Sequence, residues 1–326
     1  MKAYLDILEY TLSKGVRQSN RTGIDTFAVA NQHFSHDMRE GFPLLTTKKM
    51  AFKSIRVELE GFIKGITDKK WYEDRGCGFW SAWANPFKVN DMVEDIEHRQ
   101  TMCLEGCLGE DEQYVQDHIE GPLSTDELRK MAQVEEKDLG PLGYSHGWRR
   151  FGRSYAGPNN RAFPPASLSE GDQLAHIVNT LKTNPNDRRM VCSAWDVKNL
   201  SQMALFPCHT IWFLTHINGV LNLHWSQRSC DLPLGGPCNI ASYALLLELL
   251  AKEAGMQAGN LNGMLCNCHI YENQLDGVKE QLSRTPQAFP TLTLPNFTSI
   301  FDWTHQDVEL SGYNPQSKID FGKVAV

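Results

Sequence analysis

The chain has 326 residues, nine cysteines and a formal net charge of −7, with 41% hydrophobic and 22% charged residues. That length supports a sizeable core, the composition is that of a globular protein, and the acidic balance argues against a surface that coats nucleic acid, although arginines can still cluster locally around a small anion. No apolar run reaches membrane-spanning length, "MKAYLDILEYTL" reads as an acidic amphipathic helix and not a signal peptide, and the odd cysteine count fits free thiols in a reducing cytoplasm.

Residues 1–15 read as a helix ending at Gly15, and "TFAVANQHFSHDM" (26–38) as a strand. "REGFPLLTTKK" is then a loop into a helix over 50–65. Residues 85–137 are acidic, polar and helical, with little core material, and are expected as an insertion packed on the outside. Residues 154–171 form a turn-rich loop, followed by a helix over 172–184 and a strand over 188–195. "FPCHTIWFLTHINGVLNLHWSQRSCD" (206–231) is a hairpin about Asn218-Gly219, a strong two-residue turn signal. An apolar helix over 239–255, a strand near 263–268, a helix over 271–283 and short C-terminal strands follow. With no repeat and no linker, residues 1–326 read as one α+β domain.

Folding the hairpin brings Cys208 and His209 beside Gln227, Arg228 and Ser229. Two roles are open to Cys208, a buried structural thiol or a nucleophile. The second needs a nearby base or positive charge, for which His209 and Arg228 are the candidates. Arg188 and Arg189 in "NDRRM" and Arg21 in "NRTG" are either surface residues or, with Arg228, guanidinium forks for a phosphate. Asn239 is either a helix cap or an amide whose donor and acceptor read a pyrimidine edge. Glu58, with Glu60 nearby on the same helix, is either solvated or catalytic. His269 and Tyr271, two apart, share one face of an extended strand. Neither Cys103/Cys107 nor Cys266/Cys268/His269 has a paired Cys-x₂-Cys spacing, so no metal is expected.

Together "NRTG", "GFPLLTTKK", "DLGPLGY", "NPNDRR", "MALFPCH", "QRSCDLPLG", "NIASYALL", "HIYEN" and "GYNP" resemble the thymidylate synthase family over nearly the whole chain, in order and spacing. The resemblance implies an α+β fold with a large twisted mixed sheet, two copies packing back to back as a homodimer. It implies dUMP and a reduced folate, 5,10-methylenetetrahydrofolate, as substrates. Cys208 would add to C6 of the pyrimidine. Arg21, Gln227, Arg228 and Ser229 would line the nucleotide site, with Arg188 and Arg189 reaching its phosphate from the partner subunit. Asn239 would read the uracil edge, and His269 and Tyr271 the 3′-hydroxyl. Glu58, Tyr144 and His209 would serve the proton transfers. Trp80, Asp231, Leu234, Gly235, Cys238 and Val326 would meet the folate. No metal, nucleic acid or membrane enters.

Departures from the family pattern gather on the folate side. "PFNIASY" becomes "PCNIASY", placing Cys238 where an aromatic wall is usual. "WDEW" becomes Trp80-Ser81-Ala82-Trp83, "ELLWFL" becomes "ELEGFI", and Gly143 is an extra residue before Tyr144. Hydride transfer needs folate stacked over the methylene with water excluded. An intact nucleotide side beside an altered folate side is therefore expected of a dUMP hydroxymethylase, which ends the reaction with water and supplies a modified DNA base. Retained Trp80 points instead to thymidylate synthesis. A catalytically impaired nucleotide-binding dimer is the third reading.

Overall fold

The computed structural model describes residues 1–104, 124–158 and 167–322, with backbone alone at 99–104. The first half carries helices α1 (Lys2–Lys14), α2 (Phe52–Ile63), α3 (Lys69–Glu73), α4 (Pro86–Leu104), α5 (Thr125–Glu135) and α6 (His146–Arg150), with strands β1 (Val16–Gln18) and β2 (Thr26–Asp37). The second half carries α7 (Gln173–Thr183), β3 (Val191–Ser193), β4 (His209–Ile217), β5 (Val220–Gln227), β6 (Cys230–Asp231), α8 (Gly235–Ala254), β7 (Gln257–Tyr271), α9 (Leu275–Ser283), β8 (Thr291–Thr293) and β9 (Glu309–Ser311).

A large mixed sheet runs in the order β1-β2-β7-β5-β4-β3, with β6 also on β7, so the expected α+β architecture is present. The pairs β2/β7 and β4/β5 are antiparallel, whereas β5/β7 and β6/β7 are parallel. Parallel neighbours need a crossover. Here it is α8, most of whose residues are buried, as expected of a helix apolar on nearly all sides. The crossover sets the N-terminus of α8, with Cys238 and Asn239, beside the end of β5, where Arg228 and Ser229 emerge. The β4–β5 hairpin turns at Asn218 (φ 50°) and Gly219 (φ 80°), the doubly positive geometry that Asn-Gly favours.

Several boundaries differ from the expected ones, among them the helix expected over 271–283, which begins at Leu275 because Tyr271 still belongs to β7. Helix α8 begins at Gly235, not 239, because Pro237 falls in its first turn, where a missing N–H costs nothing. Asn239 is thus inside the helix and does not cap it. Strand β7 runs 15 residues where a short strand near 263–268 was expected. The strand expected over 188–195 is only Val191–Ser193.

One apolar core reaches from Tyr4 to Phe321. Of the insertion expected at 85–137, α4 and α5 share a separate small cluster of Ala84, Val89, Val93, Leu128 and Ala132, while 105–123 lie outside the described residues. The buried Lys69 ammonium ties α5 to the main body by donating to the carbonyls of Gln133 (2.7 Å) and Val134 (3.1 Å). Those carbonyls stand in the last turn of α5, the negative end of its dipole.

Candidate active site

The hairpin delivers what its sequence promises. His209 and Gln227 are register partners, and the Arg228 amide donates to the Cys208 carbonyl (2.8 Å). The Tyr144 hydroxyl accepts from the backbone amides of Cys208 (2.5 Å) and His209 (3.3 Å), anchoring the segment that carries the thiol. The Arg228 guanidinium donates to the carbonyls of Pro207 (2.8 Å) and Phe206 (3.0 Å) and lies over the Trp195 ring. It braces the chain just before Cys208 and keeps donors for an anion.

Burial pushes the Cys208 thiol up, while Arg228 and Arg21 pull it back down. The resting group is therefore a thiol near neutrality, and attack requires its proton to leave as the new bond forms. His209 differs from expectation. Its ring stacks on Tyr144 at 3.8 Å, its Nδ1 lies 2.8 Å from the Tyr243 hydroxyl, and burial lowers it to about 3. A neutral, enclosed imidazole supplies no positive charge to the thiol. The arginines do so instead.

Around this thiol the expected nucleotide residues converge. Tyr271 feels Asp231, Arg21 and Cys208 electrostatically and is hydrogen-bonded to Thr22. His269 stands edge-on to Tyr271 at 5.2 Å and pairs across the ladder with Asp231. The Gln227 side chain, 2% exposed, donates to the Ser229 carbonyl (2.9 Å) and to Asn239 Oδ1 (3.1 Å). Arg188 and Arg189 do not join them. They adjoin Met190, whose carbonyl accepts from Leu214, six residues along β4 from Cys208 and roughly 20 Å away at strand rise. Both are exposed, and Arg189 pairs with Asp187 at 2.5 Å.

On the facing wall, Trp80 Nε1 donates to Glu58 (3.0 Å). Asp231 accepts from the Leu234 amide (3.3 Å) and from Gln274 (3.2 Å), which fastens the turn through Leu234 and Gly235 into α8. Burial pushes Asp231 up to about 6 and the Cys238 thiol up to about 12, the latter with Lys48 pulling down and Glu58 and Asp231 pushing further up. Cys238 thus has Glu58, Asp231 and Lys48 within electrostatic reach. Lys48 donates to the Pro233 carbonyl and lies 4.4 Å from the Phe321 ring centroid. Lys48, Gln274, Trp225 and Tyr243 were not singled out from sequence. Lys48 and Tyr243 carried a signal, their places in "TTKK" and "NIASYALL". Val326 lies outside the described residues. Among the described residues no group of three or more His, Cys, Asp or Glu could hold a metal ion, and no helix is long and apolar enough to cross a membrane.

Burial pushes the Glu58 carboxyl from its ordinary 4.5 to about 8, against the hydrogen bond from Trp80, which lowers it. Between those values the folded protein holds a proton that the unfolded chain releases, so this group's contribution to stability falls as pH rises through the window. Wild type is therefore expected to lose urea resistance relative to Glu58→Gln between about pH 5 and about pH 8. Parallel midpoint curves for the two proteins would mean that Glu58 ionises normally. Other raised carboxyls are common to both and cancel.

A family model described as thymidylate synthase matches residues 2–326. The chain is 34% identical over 321 residues to thymidylate synthase of Listeria monocytogenes, covering 98% of each protein. It is 34% identical over 327 residues to that of Listeria innocua, again covering 98% of each. It is also 35% identical over 323 residues to the bifunctional dihydrofolate reductase-thymidylate synthase of Paramecium tetraurelia, covering 99% of this chain and 61% of that longer one.

Proposed function

The chain belongs to the thymidylate synthase family, and we propose that it transfers the one-carbon unit of 5,10-methylenetetrahydrofolate to C5 of dUMP and ends the reaction with water, giving 5-hydroxymethyl-dUMP. The Cys208 thiol adds to C6 and gives up its proton, which makes C5 a carbon nucleophile. C5 attacks the folate methylene. Loss of the C5 proton then expels tetrahydrofolate and leaves an exocyclic methylene, and water adds to that carbon as Cys208 departs. Arg21, Arg228 and Ser229 hold the phosphate, and His269 and Tyr271 the sugar. Glu58, neutral near pH 7 and oriented by Trp80, donates a proton and a hydrogen bond.

The observation that carries the choice of water is Cys238 with its polar neighbours. A small thiol stands there with the titratable side chains of Glu58, Asp231 and Lys48 as its neighbours, in place of the family's aromatic wall. Losing a phenyl ring forfeits roughly 1–3 kcal/mol of apolar burial and opens polar space beside the reacting methylene. Thymidylate synthesis is the second reading, favoured by Trp80, which is 5% exposed and fixed by Glu58. The homodimer belongs to the proposal too. Val191, Phe213, Ile217 and Met264 are exposed on sheet strands, and Arg188 and Arg189 lie too far from their own Cys208 to serve it.

Incubation with dUMP and methylenetetrahydrofolate is expected to yield a nucleotide one oxygen heavier than thymidylate by mass spectrometry, with no rise in near-ultraviolet absorbance from dihydrofolate. Equimolar thymidylate and dihydrofolate would establish the second reading instead.

A further inference from the structure

Strand β7 ends in Asn267, His269 and Tyr271, which alternate onto one face and stand side by side along it. His269 is 7% exposed, whereas Asn267 beside it is exposed. The Asn267 side-chain oxygen lies 2.9 Å from His269 Nδ1. The other ring nitrogen, Nε2, has no hydrogen-bond partner among the described residues, yet it is not one of their enclosed, unpartnered atoms. It therefore remains open to a ligand, on a ring that meets Tyr271 edge-on at 5.2 Å.

An imidazole held at one nitrogen has a fixed plane, and the chemistry of its partner settles what the other nitrogen offers. Burial lowers His269 from its ordinary 6.5, so the ring is neutral near neutrality and carries a single N–H. The amide of Asn267 is uncharged and does not draw a second proton onto the ring, as a carboxylate would. With the Asn267 oxygen facing Nδ1, the one proton sits on Nδ1. Nε2 then presents a bare lone pair.

A lone pair at that place demands a donor from its ligand. A free 3′-hydroxyl supplies one. An ether or phosphodiester oxygen at the same position has no hydrogen, and the two acceptors would face each other unpaired.

We propose that Asn267 is a positioning residue that sets the His269 tautomer, and that through it the site takes only nucleotides whose 3′ oxygen carries a hydrogen, excluding a nucleotide already linked into a strand. The inference rests on the reading that His269 meets the sugar.

The test is calorimetric titration of the full chain with dUMP, 2′,3′-dideoxyuridine 5′-monophosphate and 3′-O-methyl-dUMP. Wild type is expected to bind dUMP about tenfold more tightly than the dideoxy nucleotide, and the 3′-O-methyl nucleotide no better than the dideoxy one. Asn267→Ala should weaken dUMP about fivefold and leave the dideoxy nucleotide within about twofold, a pattern that damaged folding would not give. Asn267→Asp, whose carboxylate oxygens only accept, should restore dUMP binding. Tight binding of the 3′-O-methyl nucleotide by wild type would overturn the proposal. So would failure of Asn267→Asp to restore binding, because an amide acting as donor places the ring proton on Nε2. His269→Ala separates this proposal from the reading beneath it. Lost 3′ selectivity in His269→Ala, with full selectivity kept by Asn267→Ala, would overturn the role of Asn267 alone. Unchanged selectivity in His269→Ala would overturn the sugar assignment as well.

Discussion

Cys208→Ala is expected to abolish folate-dependent turnover of dUMP and, with it, exchange of the C5 hydrogen into solvent, each by on the order of 10³-fold or more. Both need the covalent bond at C6. The substitution removes the sulfur and little else, since the backbone amide of residue 208 still donates to Tyr144 and the Arg228 amide still donates to its carbonyl. Nucleotide binding should therefore survive, because Arg21, Arg228, Gln227 and Asn239 are untouched, and equilibrium binding of dUMP is the control that separates lost chemistry from lost structure. Substantial C5 exchange by the alanine variant would identify another nucleophile. Neither His209, held neutral between two tyrosines, nor Cys238, its thiol pushed up to about 12, is placed to take over.

The parts of this site that lie within one hairpin are legible in the sequence. Asn218-Gly219 fixes the turn and alternation fixes the register as far as Ile211 and Ser226, which continued unbroken would set Ser229 against Cys208; a bulge between His209 and Ile211 shifts the pairing by one and puts Arg228 there instead. What depends on the crossover is not. Strand β7 carries three asparagines and two glycines, residues poor in strands, yet it is central because β2 and β5 pair with it from both sides. One of those glycines has a physical cause. A Cβ at Gly263 would lie 2.3 Å from the Trp225 ring, so the indole crosses β7 only where no side chain stands. Trp225 in turn donates to Gln227 (3.3 Å), two residues on along the same face of β5. Charge was the other thing hidden. Adjacency to a cysteine suggests that His209 is a base, but burial between Tyr144 and Tyr243 decides the matter the other way. On the folate side, "ELEGFI" reads as lost bulk. In three dimensions Gly61 makes room for Tyr72, whose ring would meet a Cβ at 2.2 Å, and Glu60 is buried in contacts with Lys64 and His305.

Asn239→Asp is expected to cut kcat/KM for dUMP about a hundredfold and to create measurable turnover of dCMP, since a mismatched buried polar pair costs about 1–3 kcal/mol. The reason lies in a relay whose direction is forced at its start. An indole N–H can only donate, so Trp225 requires the oxygen of the Gln227 amide to face it. The Ser229 carbonyl can only accept, so the nitrogen of that amide faces Ser229, and the same nitrogen donates to Asn239 Oδ1. Asn239 therefore turns its NH₂ away from Gln227 and keeps a second lone pair on its oxygen. That pair of groups matches a uracil edge, with O4 accepting and N3–H donating. Cytosine shows an amino group and a bare N3, so donor would face donor and acceptor would face acceptor. An aspartate replaces the outward NH₂ with an oxygen that accepts from the cytosine amino group, while the retained oxygen, once protonated, donates to N3 and still accepts from Gln227. Steady-state kinetics with both nucleotides decide it. A wild-type preference for dCMP, or an unchanged preference in Asn239→Asp, would mean that the base is read by something other than the end of this relay.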